Sequence, residues 1–423
     1  MRSPDTIRAK VNRALATYTT DPDLPLRQHA YQSPLRDERL AAWLGAALGV
    51  LFTICFVTGL YSHIHQHPLS WLPVPARPAG LFRLTQGLHV AAGIATVPVL
   101  LAKLWVVWPR FVSFPPGRRI ADAVERLGVL ALVTGGIFMV FSGVANIAQW
   151  YPWRFSFTAA HYWTAWITIG AVVAHVGAKA PITRRTLLSQ AAPAAVVRGT
   201  PPVPRGRRHR PALADADPSL GTTAEGSHDG LSRRGFLTTV AAASGLLTLV
   251  TAGQTLPGLR RLALLAPRNP ADRPVNRSAR NAGVVDAATS ADYRLRVEGR
   301  VTRPLTLTLD DLRALPARTA ELPIACVEGW SYSARWTGVA LRDLLQMAGA
   351  PARAEVHVES LEEHSPYRRS FLNRRQAHDA DTLLATHLDG EALSLDHGYP
   401  LRLIGPGRPG VNQTKWVTRV VVL

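Results

Sequence analysis

Four long apolar runs dominate the first half of the chain. They cover residues 40–61, 84–108, 127–149 and 159–178, and each approaches the roughly 20 apolar residues that cross a bilayer as a helix. Tryptophans lie near the ends of these runs, as interfacial aromatic side chains do. A buried core helix is the alternative for any single run. Four runs in succession with basic flanks favour a four-helix transmembrane domain over residues 40–178.

The pattern of hydrophobic and polar positions changes beyond residue 257. Tyr293–Val301 and Leu305–Leu309 alternate apolar with polar residues, which indicates half-buried strands. Further short elements follow, namely helices at 309–315 and 341–348 and strands at 355–359, 400–404 and 416–423. The βαβ repetition and the Gly-rich dinucleotide fingerprint are both absent from this sequence. We therefore predict an α+β domain over residues 275–423.

Basic residues flank the apolar runs. Seven Lys or Arg residues lie in 1–40, and eight lie in 179–210, where there is no acidic residue. This is the positive-inside pattern of a membrane protein, and it accounts for much of the formal net charge of +19. Since no recognition motif accompanies the charge, nucleic acid is not an expected partner. We expect an N-terminal segment (1–39) and a linker (179–231) in the cytoplasm.

The segment Ser232-Arg-Arg-Gly-Phe-Leu precedes a fifth apolar run at 236–256. This order resembles a twin-arginine export signal. The alternative is simply a fifth helix with a basic inner flank, and the two interpretations are compatible. We predict that residues 232–257 form such a signal and a retained fifth membrane helix. The C-terminal domain would then lie on the extracytoplasmic side of the plasma membrane.

The chain contains two cysteines, Cys55 in the first apolar run and Cys326 in the C-terminal part, so no internal disulfide is expected. Three motifs follow in order: Cys326-Val-Glu-Gly-Trp-Ser with Trp336-Thr-Gly-Val-Ala-Leu-Arg-Asp-Leu-Leu, then His397-Gly-Tyr-Pro-Leu-Arg-Leu-Ile, then Thr414-Lys-Trp-Val. Together they resemble the molybdopterin-binding domain of the sulfite-oxidase superfamily. The Cys-Val-Glu-x-Trp-Ser form most resembles the bacterial periplasmic branch that includes methionine-sulfoxide reductase.

The resemblance implies a role for each matching residue. Cys326 would be the catalytic molybdenum ligand, since a thiolate suits a transition metal; a buried small hydrophobe is the alternative for this cysteine taken alone. The pterin would be bound by Asn276, Ser360, His397, Arg402, Gln413, Thr414 and Lys415. The run Asn412-Gln-Thr departs from the glycine-rich form of other members. An anion pocket of Tyr332, Arg335, Arg368 and Arg369 is a further hypothesis, with a solvated face as its alternative.

Histidines inside the apolar runs suggest haem, because ionisable residues in a membrane are costly and usually functional. His161 and His175 lie on the fourth run, roughly 21 Å apart along a helix and near one face. His89 or His63 would match His161 in depth, whereas His175 has no partner at its own depth. The unit weakly resembles di-haem cytochrome b proteins, but this pattern predicts one haem b better than two. Polar helix contacts are the alternative, and the run His63-Ile-His-Gln-His is expected to be a loop tip rather than a metal site.

The predicted fold is therefore multidomain, with an all-α transmembrane bundle followed by an α+β domain of sulfite-oxidase-like fold. Its implied function is a membrane-anchored molybdenum oxidoreductase that transfers an oxygen atom to or from a small oxo substrate. It would reduce a sulfoxide or N-oxide, or oxidise a small anion as sulfite oxidase does. Quinone or a redox partner would exchange its electrons. The alternative is a non-catalytic, membrane-anchored binding module that retains the fold.

Overall fold

The computed structural model of the chain describes residue 33 and residues 35–69, 71–112, 120–188, 231–253, 257–268 and 272–423. The predicted N-terminal segment up to residue 32 and most of the linker, residues 189–230, lie outside the described residues. The proposed domain boundaries stay predictions.

Five helices within these residues are long and apolar enough to cross a membrane. They are α1 (Glu38–Gln66), α2 (Leu81–Val112), α3 (Ile120–Ile147), α4 (Phe157–Leu188) and α5 (Arg233–Ala252). Each overlaps a predicted apolar run. Most of them extend past it, since each residue added to an existing helix gains a hydrogen bond whatever its polarity. The predicted helical first half is therefore confirmed.

Helix α5 packs against the bundle formed by the first four helices. Its first turn carries Phe236, which stacks on Trp105 near the end of α2 with ring centroids 5.7 Å apart. Its last residue, Ala252, packs against Val90 and Ile94 near the beginning of α2. The two helices are thus antiparallel. The twin-arginine segment begins this helix: Ser232 caps it, and Arg233 pairs with Asp37, the N-cap of α1, at 2.6 Å.

Residues 272–423 fold into two sheets with short helices. The first sheet has the strand order β2-β1-β10-β5-β6, and the second has the order β3-β4-β7-β8 with β9 paired to β7. The strands are β1 (Leu295–Gly299), β2 (Leu305–Leu307), β3 (Ala317–Ala325), β4 (Ser331–Ala340), β5 (Val356–Ser360), β6 (Arg369–Leu372), β7 (Leu383–Leu388), β8 (Glu391–Ala392), β9 (Arg402–Ile404) and β10 (Val417–Val422). The helices are α6 (Ala279–Ala282), α7 (Val285–Thr289), α8 (Leu309–Ala314), α9 (Leu341–Met347) and α10 (Arg374–Ala377). The predicted α+β class is confirmed.

Each sheet buries an apolar face in its own cluster. Leu295, Val297 and Val420 of the first sheet are fully buried with α9, which lies against them through Leu341 and Leu344. The second sheet buries Ile324, Trp336 and Ile404 in a cluster that also contains Cys326. Cys326 therefore lies at the end of a strand whose position is fixed by apolar burial.

The segment between α1 and α2 joins the two halves of the molecule. Asn373 donates a hydrogen bond to the Val74 carbonyl oxygen at 2.8 Å, and Asn412 donates one to the His65 carbonyl oxygen at 2.9 Å. Arg77 pairs with Asp379 at 2.9 Å and with Asp381 at 2.5 Å. These contacts hold the α+β domain on the end of the bundle where α1 ends and α2 begins.

Candidate functional site

A cavity of about 490 Å³ opens beside Cys326, and we call it the Cys326 cavity. One wall comes from the α+β domain and includes Cys326 with the loop 410–416. The other wall comes from the loop that joins α3 to α4, residues 151–158. The two halves of the chain therefore meet at this cavity.

Cys326 lies at the bottom of a tight turn after β3. Its backbone N–H donates to the Trp330 carbonyl oxygen at 3.0 Å, and its own carbonyl oxygen accepts from Gly329 at 3.1 Å. Gly329 has φ +85°, a left-handed conformation that glycine adopts without strain. The side chain of Cys326 is 2% exposed. Burial, and secondarily the charge of Glu328, raises the pKa of its thiol far above the ordinary value, so the thiolate needs a cation beside it.

Two cations, the buried Arg402 and the half-buried Lys415, lie in the wall formed by the α+β domain. Arg402, on β9, is 6% exposed, and its guanidinium lies 5.2 Å above the Trp336 ring. It donates to the His397 carbonyl oxygen at 3.0 Å. Lys415 donates to the Asp396 carbonyl oxygen at 3.1 Å, and burial together with Arg402 lowers its pKa to about 7. These cations lack carboxylate partners in the described chain, so a bound anion would stabilise both.

Several buried polar atoms in this wall have no hydrogen-bond partner among the described residues. They are Arg277 Nε, Arg402 Nε and Gln413 Oε1, whereas Glu362 Oε1 pairs with Arg277 Nη1 at 2.7 Å. Buried polar groups in native proteins are nearly always hydrogen-bonded, and each unsatisfied group costs about 1–3 kcal/mol. A ligand with both donors and acceptors fits this set of atoms.

The structure brings six of the seven predicted pterin-binding residues to this cavity: Asn276, Ser360, Arg402, Gln413, Thr414 and Lys415. Ser360 donates to the Lys415 carbonyl oxygen at 2.8 Å, so it orders the loop as well as lining the cavity. His397 lies behind the wall. Its ring hydrogen-bonds Ser394 at 2.8 Å and the Arg273 carbonyl oxygen at 2.9 Å, while its own carbonyl oxygen holds Arg402. His397 therefore acts on the cavity through Arg402.

The hypothesis of an anion pocket formed by Tyr332, Arg335, Arg368 and Arg369 is wrong. Arg335 and Arg368 are exposed, and Arg369 pairs with Glu359 at 2.6 Å. Tyr332 is buried against Trp330, with ring centroids 5.9 Å apart. None of the four lines the Cys326 cavity. Alternation along β4 directs Arg335 to solvent, and a sequence rich in arginine gives no sign of which ones turn inward.

Sequence reasoning missed several residues that line the Cys326 cavity. Glu328 lies two residues after Cys326 and accepts a hydrogen bond from Trp330 Nε1 at 2.8 Å. Tyr367 comes from the loop before β6, and burial and then the Cys326 charge raise its pKa. The residues contributed by the bundle were interpreted only as interfacial aromatics. Their aromatic side chains were the sequence feature that could have indicated a cavity wall, but such side chains are equally typical of a membrane surface.

A second cavity, of about 650 Å³, lies within the bundle, and we call it the histidine cavity. His63, His89 and His161 line it, as predicted for candidate haem ligands. His175 does not line it, and its distance along α4 explains why. Among the described residues, no group of three or more His, Cys, Asp or Glu side chains is arranged to hold a metal ion. The run His63-Ile-His-Gln-His was predicted to be a loop tip, and that prediction is wrong. The run forms the last turn of α1, with His67 as its C-cap, because the helical hydrogen bonds continue through these polar residues.

His89 and His161 face each other across the histidine cavity with ring centroids 6.2 Å apart. His89 Nδ1 hydrogen-bonds the Cys55 carbonyl oxygen at 2.9 Å, and His161 Nδ1 hydrogen-bonds Ser142 at 2.8 Å. These bonds leave the Nε2 atoms for a ligand. With metal–nitrogen bonds of about 2 Å and a ring radius of about 1 Å, two imidazoles on one iron have centres about 6 Å apart.

Gly59 lets the His89 ring lie close against α1, whereas a Cβ at Gly143 would make only an ordinary van der Waals contact with His161. A Cβ at Gly59 would lie 3.0 Å from His89 Cε1, and one at Gly143 would lie 3.7 Å from His161 Cε1. His63 instead stacks on Tyr162, with ring centroids 3.7 Å apart. Of the two partners predicted for His161, the geometry thus favours His89.

Comparison with known proteins identifies the C-terminal part of the chain. Residues 282–423 match the family described as oxidoreductase molybdopterin binding domain. The chain is 34% identical to the mitochondrial sulfite oxidase of Drosophila melanogaster over 34% of its length and 29% of that protein. It is 34% identical to the sulfite oxidase of Gallus gallus, over 34% of this chain and 37% of that protein. It is also 34% identical to inducible nitrate reductase [NADH] 2 of Glycine max, over 34% of this chain and 19% of that protein.

Among solved structures, the sulfane dehydrogenase SoxCD of Paracoccus pantotrophus is 30% identical over 31% of this chain and 38% of that chain, with a TM-score of 0.29. The chain thus spans well under half the length of the relatives that it matches.

Residues 282–423 are therefore a molybdopterin-binding oxidoreductase domain, homologous to those of sulfite oxidases and nitrate reductases. The match supports the predicted resemblance to sulfite oxidases, and a domain of this kind implies a Mo-molybdopterin cofactor. The cations and the unsatisfied polar atoms of the Cys326 cavity fit a phosphate-bearing pterin, and Cys326 fits its metal. Assignment to the methionine-sulfoxide reductase branch stays a prediction, as does the resemblance of the bundle to cytochrome b.

Proposed function

We propose that this protein is a membrane-anchored, molybdopterin-dependent oxidoreductase that transfers an oxygen atom to or from a small oxo compound. The observation that carries the proposal is the buried Cys326 thiol at a cavity lined by Arg402 and Lys415, which form no ion pair with a described residue. Arg277 Nε, Arg402 Nε and Gln413 Oε1 in the same wall have no hydrogen-bond partner among the described residues. When bound, the cofactor supplies two-electron oxygen-atom transfer. The motif around Cys326 favours reduction of a sulfoxide or N-oxide, while the named relatives favour oxidation of a small anion.

The chain's own residues would bind and orient the cofactor. Arg402 and Lys415 would neutralise the pterin phosphate, and Gln413 and Arg277 would bond to its polar edge. Lys415, whose pKa burial lowers to about 7, would gain its full charge next to a phosphate, since an adjacent negative charge favours the cationic form. Cys326 would hold the metal at the junction of the two walls.

We further propose that one haem b is bound by His89 and His161 and exchanges electrons with the molybdenum site. Support comes from the residues that the two cavities share. Val327, Pro366 and Tyr367 line both the histidine cavity and the Cys326 cavity. A wall one residue thick would suit direct electron exchange. Quinone or another membrane redox partner would then supply or remove electrons at the haem.

Membrane insertion is part of the same proposal. The beginnings of α1 and α5 lie at one end of the bundle, and the molybdopterin domain lies at the other end. In the sequence, the basic segments 1–39 and 179–231 lead directly into α1 and α5. With the basic end in the cytoplasm, the molybdopterin domain is extracytoplasmic. Export by the twin-arginine route would carry it across after cofactor insertion, and the packing of α5 on α2 supports its retention.

Metal and pterin analysis of purified protein tests the proposal, with the second cysteine as a matched control. The full chain made in a host with an intact cofactor pathway should contain close to one molybdenum and one pterin per chain. Cys326→Ser should lose catalytic turnover with sulfoxide, N-oxide or sulfite, whereas Cys55→Ser should match wild type. Wild-type protein without molybdenum would refute the enzyme hypothesis and leave the binding module.

A further inference from the structure

The loop between α3 and α4 forms one wall of the Cys326 cavity, although it belongs to the helical half of the chain. Tyr151, Trp153, Arg154 and Phe155 all line the cavity. Such aromatic loops ordinarily lie at the membrane surface. Here the loop also covers the site in the other domain.

The loop is fixed to the cysteine turn by a short hydrogen-bond chain. Tyr151 donates its hydroxyl hydrogen to Asn146 Oδ1 at 3.1 Å, and Asn146 Nδ2 donates to the Val327 carbonyl oxygen at 3.0 Å. Trp153 and Phe155 stack with ring centroids 5.9 Å apart and an interplanar angle of 13°. The loop therefore has a defined position relative to Cys326.

The positively charged residues around the cavity differ in their ion pairs and hydrogen bonds. Arg277 pairs with Glu362 at 2.7 Å, and Arg402 and Lys415 donate to backbone carbonyl oxygens in the wall that binds the pterin. Arg154 has no hydrogen bond or ion pair with any residue that the structure describes, and it is exposed. Among the residues of the helical half that line the Cys326 cavity, Arg154 is the positively charged one.

We infer that Arg154 is a recognition residue that attracts small anions to the Cys326 cavity, so that the helical half sets the substrate preference of the molybdopterin domain. The inference rests on the proposed function, because it assigns a substrate class to the same site. A guanidinium offers up to five donors in a planar fork, which matches the oxygens of a small oxyanion. Its exposure at the cavity lets it reach an incoming ligand.

Alkylation of Cys326 in cofactor-free full-length protein tests this directly. The probes are iodoacetate, which is anionic, and iodoacetamide, which is neutral and of similar size. Both attack the same thiolate, so the ratio of their rates at Cys326 cancels the thiol's pKa. Peptide mass spectrometry separates Cys326 from Cys55.

Arg154→Gln should lower the iodoacetate-to-iodoacetamide ratio about fivefold, corresponding to about 1 kcal/mol of charge interaction. The matched control is Arg300→Gln, which removes an exposed arginine of the molybdopterin domain away from the cavity and should leave the ratio unchanged. In about 1 M salt, wild type and Arg154→Gln should converge, because screening shortens the reach of the charge.

An unchanged ratio in Arg154→Gln would overturn the inference. So would equal ratios for wild type and Arg154→Gln in phosphatidylglycerol nanodiscs together with different ratios in phosphatidylcholine nanodiscs, since Arg154 would then bind a lipid headgroup. Comparing the two proteins in the same lipid cancels the repulsion of iodoacetate by the anionic surface. The experiment needs no molybdenum. Its failure is therefore distinguishable from failure of the proposed function, which is decided by the metal content of the protein from a cofactor-competent host.

Discussion

Gly407 makes a close contact between the two halves of the molecule, and its replacement by alanine should loosen them. Gly407 has φ +67°, and a Cβ there would lie 2.5 Å from the Ala76 carbonyl oxygen and 3.1 Å from the Ala76 carbonyl carbon. Both atoms belong to the backbone of the segment between α1 and α2, so no side chain can rotate away. That segment must move.

Two costs contribute to the expected effect. Alanine in the left-handed region costs about 1–2 kcal/mol wherever it occurs. Displacing the Ala76 carbonyl oxygen also strains the neighbouring hydrogen bond from Asn373 to the Val74 carbonyl oxygen, and overpacking of this kind costs about 1–3 kcal/mol. Gly283→Ala is a matched control, since Gly283 has φ +69° and a Cβ there meets nothing within 4 Å. The difference between the variants, about 1–3 kcal/mol, isolates the contact between the halves.

Hydrogen exchange of the backbone amides in 71–80 and 405–413 measures this difference as a local opening free energy, without requiring reversible unfolding of a membrane protein. Gly407→Ala should speed exchange in both segments about tenfold or more, and Gly283→Ala should leave them at the wild-type rate. Equal exchange in the two variants would refute the contact and, with it, the docked arrangement of the halves. Residues 410–416 line the Cys326 cavity, so Gly407→Ala should also lower pterin content.

Three further predictions follow from the described contacts. His89→Ala and His161→Ala should each abolish the reduced-minus-oxidised haem spectrum of membranes. His175→Ala is the control and should retain the spectrum, because His175 does not line the histidine cavity. A normal spectrum in His89→Ala or in His161→Ala would refute the proposed ligand pair. Lys415 should add stability to the cofactor-free protein as pH rises from about 7 towards 10.5, by at most about 1.4 kcal/mol per pH unit, because over this range its side chain is protonated in the unfolded chain but not in the folded one. The raised pKa of Cys326 acts in the opposite direction at high pH, so the measurement is the difference in pH slope between wild type and Lys415→Met. Equal slopes in denaturation of the two proteins would contradict the assignment. Arg408→Met should destabilise the domain by about 1–3 kcal/mol in thermal melts. Arg408 is 4% exposed and donates to the Asn412 carbonyl oxygen and to Gln376 Oε1, and these buried acceptors would lose their partner. An unchanged melting temperature would show that this network is dispensable.

The order of the two halves could be read from the sequence, and its motifs singled out Cys326 as the candidate metal ligand. Long apolar runs determine helices by composition alone, and α1 to α5 followed from them. Cys326 was found through motifs whose residues are close in sequence. Strands β1, β5 and β10 were also predicted from the sequence, because each alternates apolar with polar residues or forms a compact apolar run.

The hairpin of β3 and β4 was not predicted, although it carries Cys326. Strand β3 has the sequence Ala-Arg-Thr-Ala-Glu-Leu-Pro-Ile-Ala, and its first half is exposed, so the apolar alternation is weak. Its pairing with β4 over Ala317–Ala325 and Ser331–Ala340 stabilises it instead. Strand preference depends on the neighbouring strand, and the neighbour is a tertiary property.

The composition of the site was likewise a tertiary result. Local motifs predicted candidate cofactor-binding residues, among them Cys326, Arg402 and Lys415, and the fold brings these three to one cavity. The motifs placed His397 in the same set, whereas the fold puts its ring behind the wall and uses its carbonyl oxygen. Arg154 is 172 residues away from Cys326 in the chain, and only the docking of the halves brings its loop to the cavity. Short-range sequence patterns predict which residues are buried or helical. The residues that a charged side chain contacts depend on the tertiary fold, which no local pattern encodes.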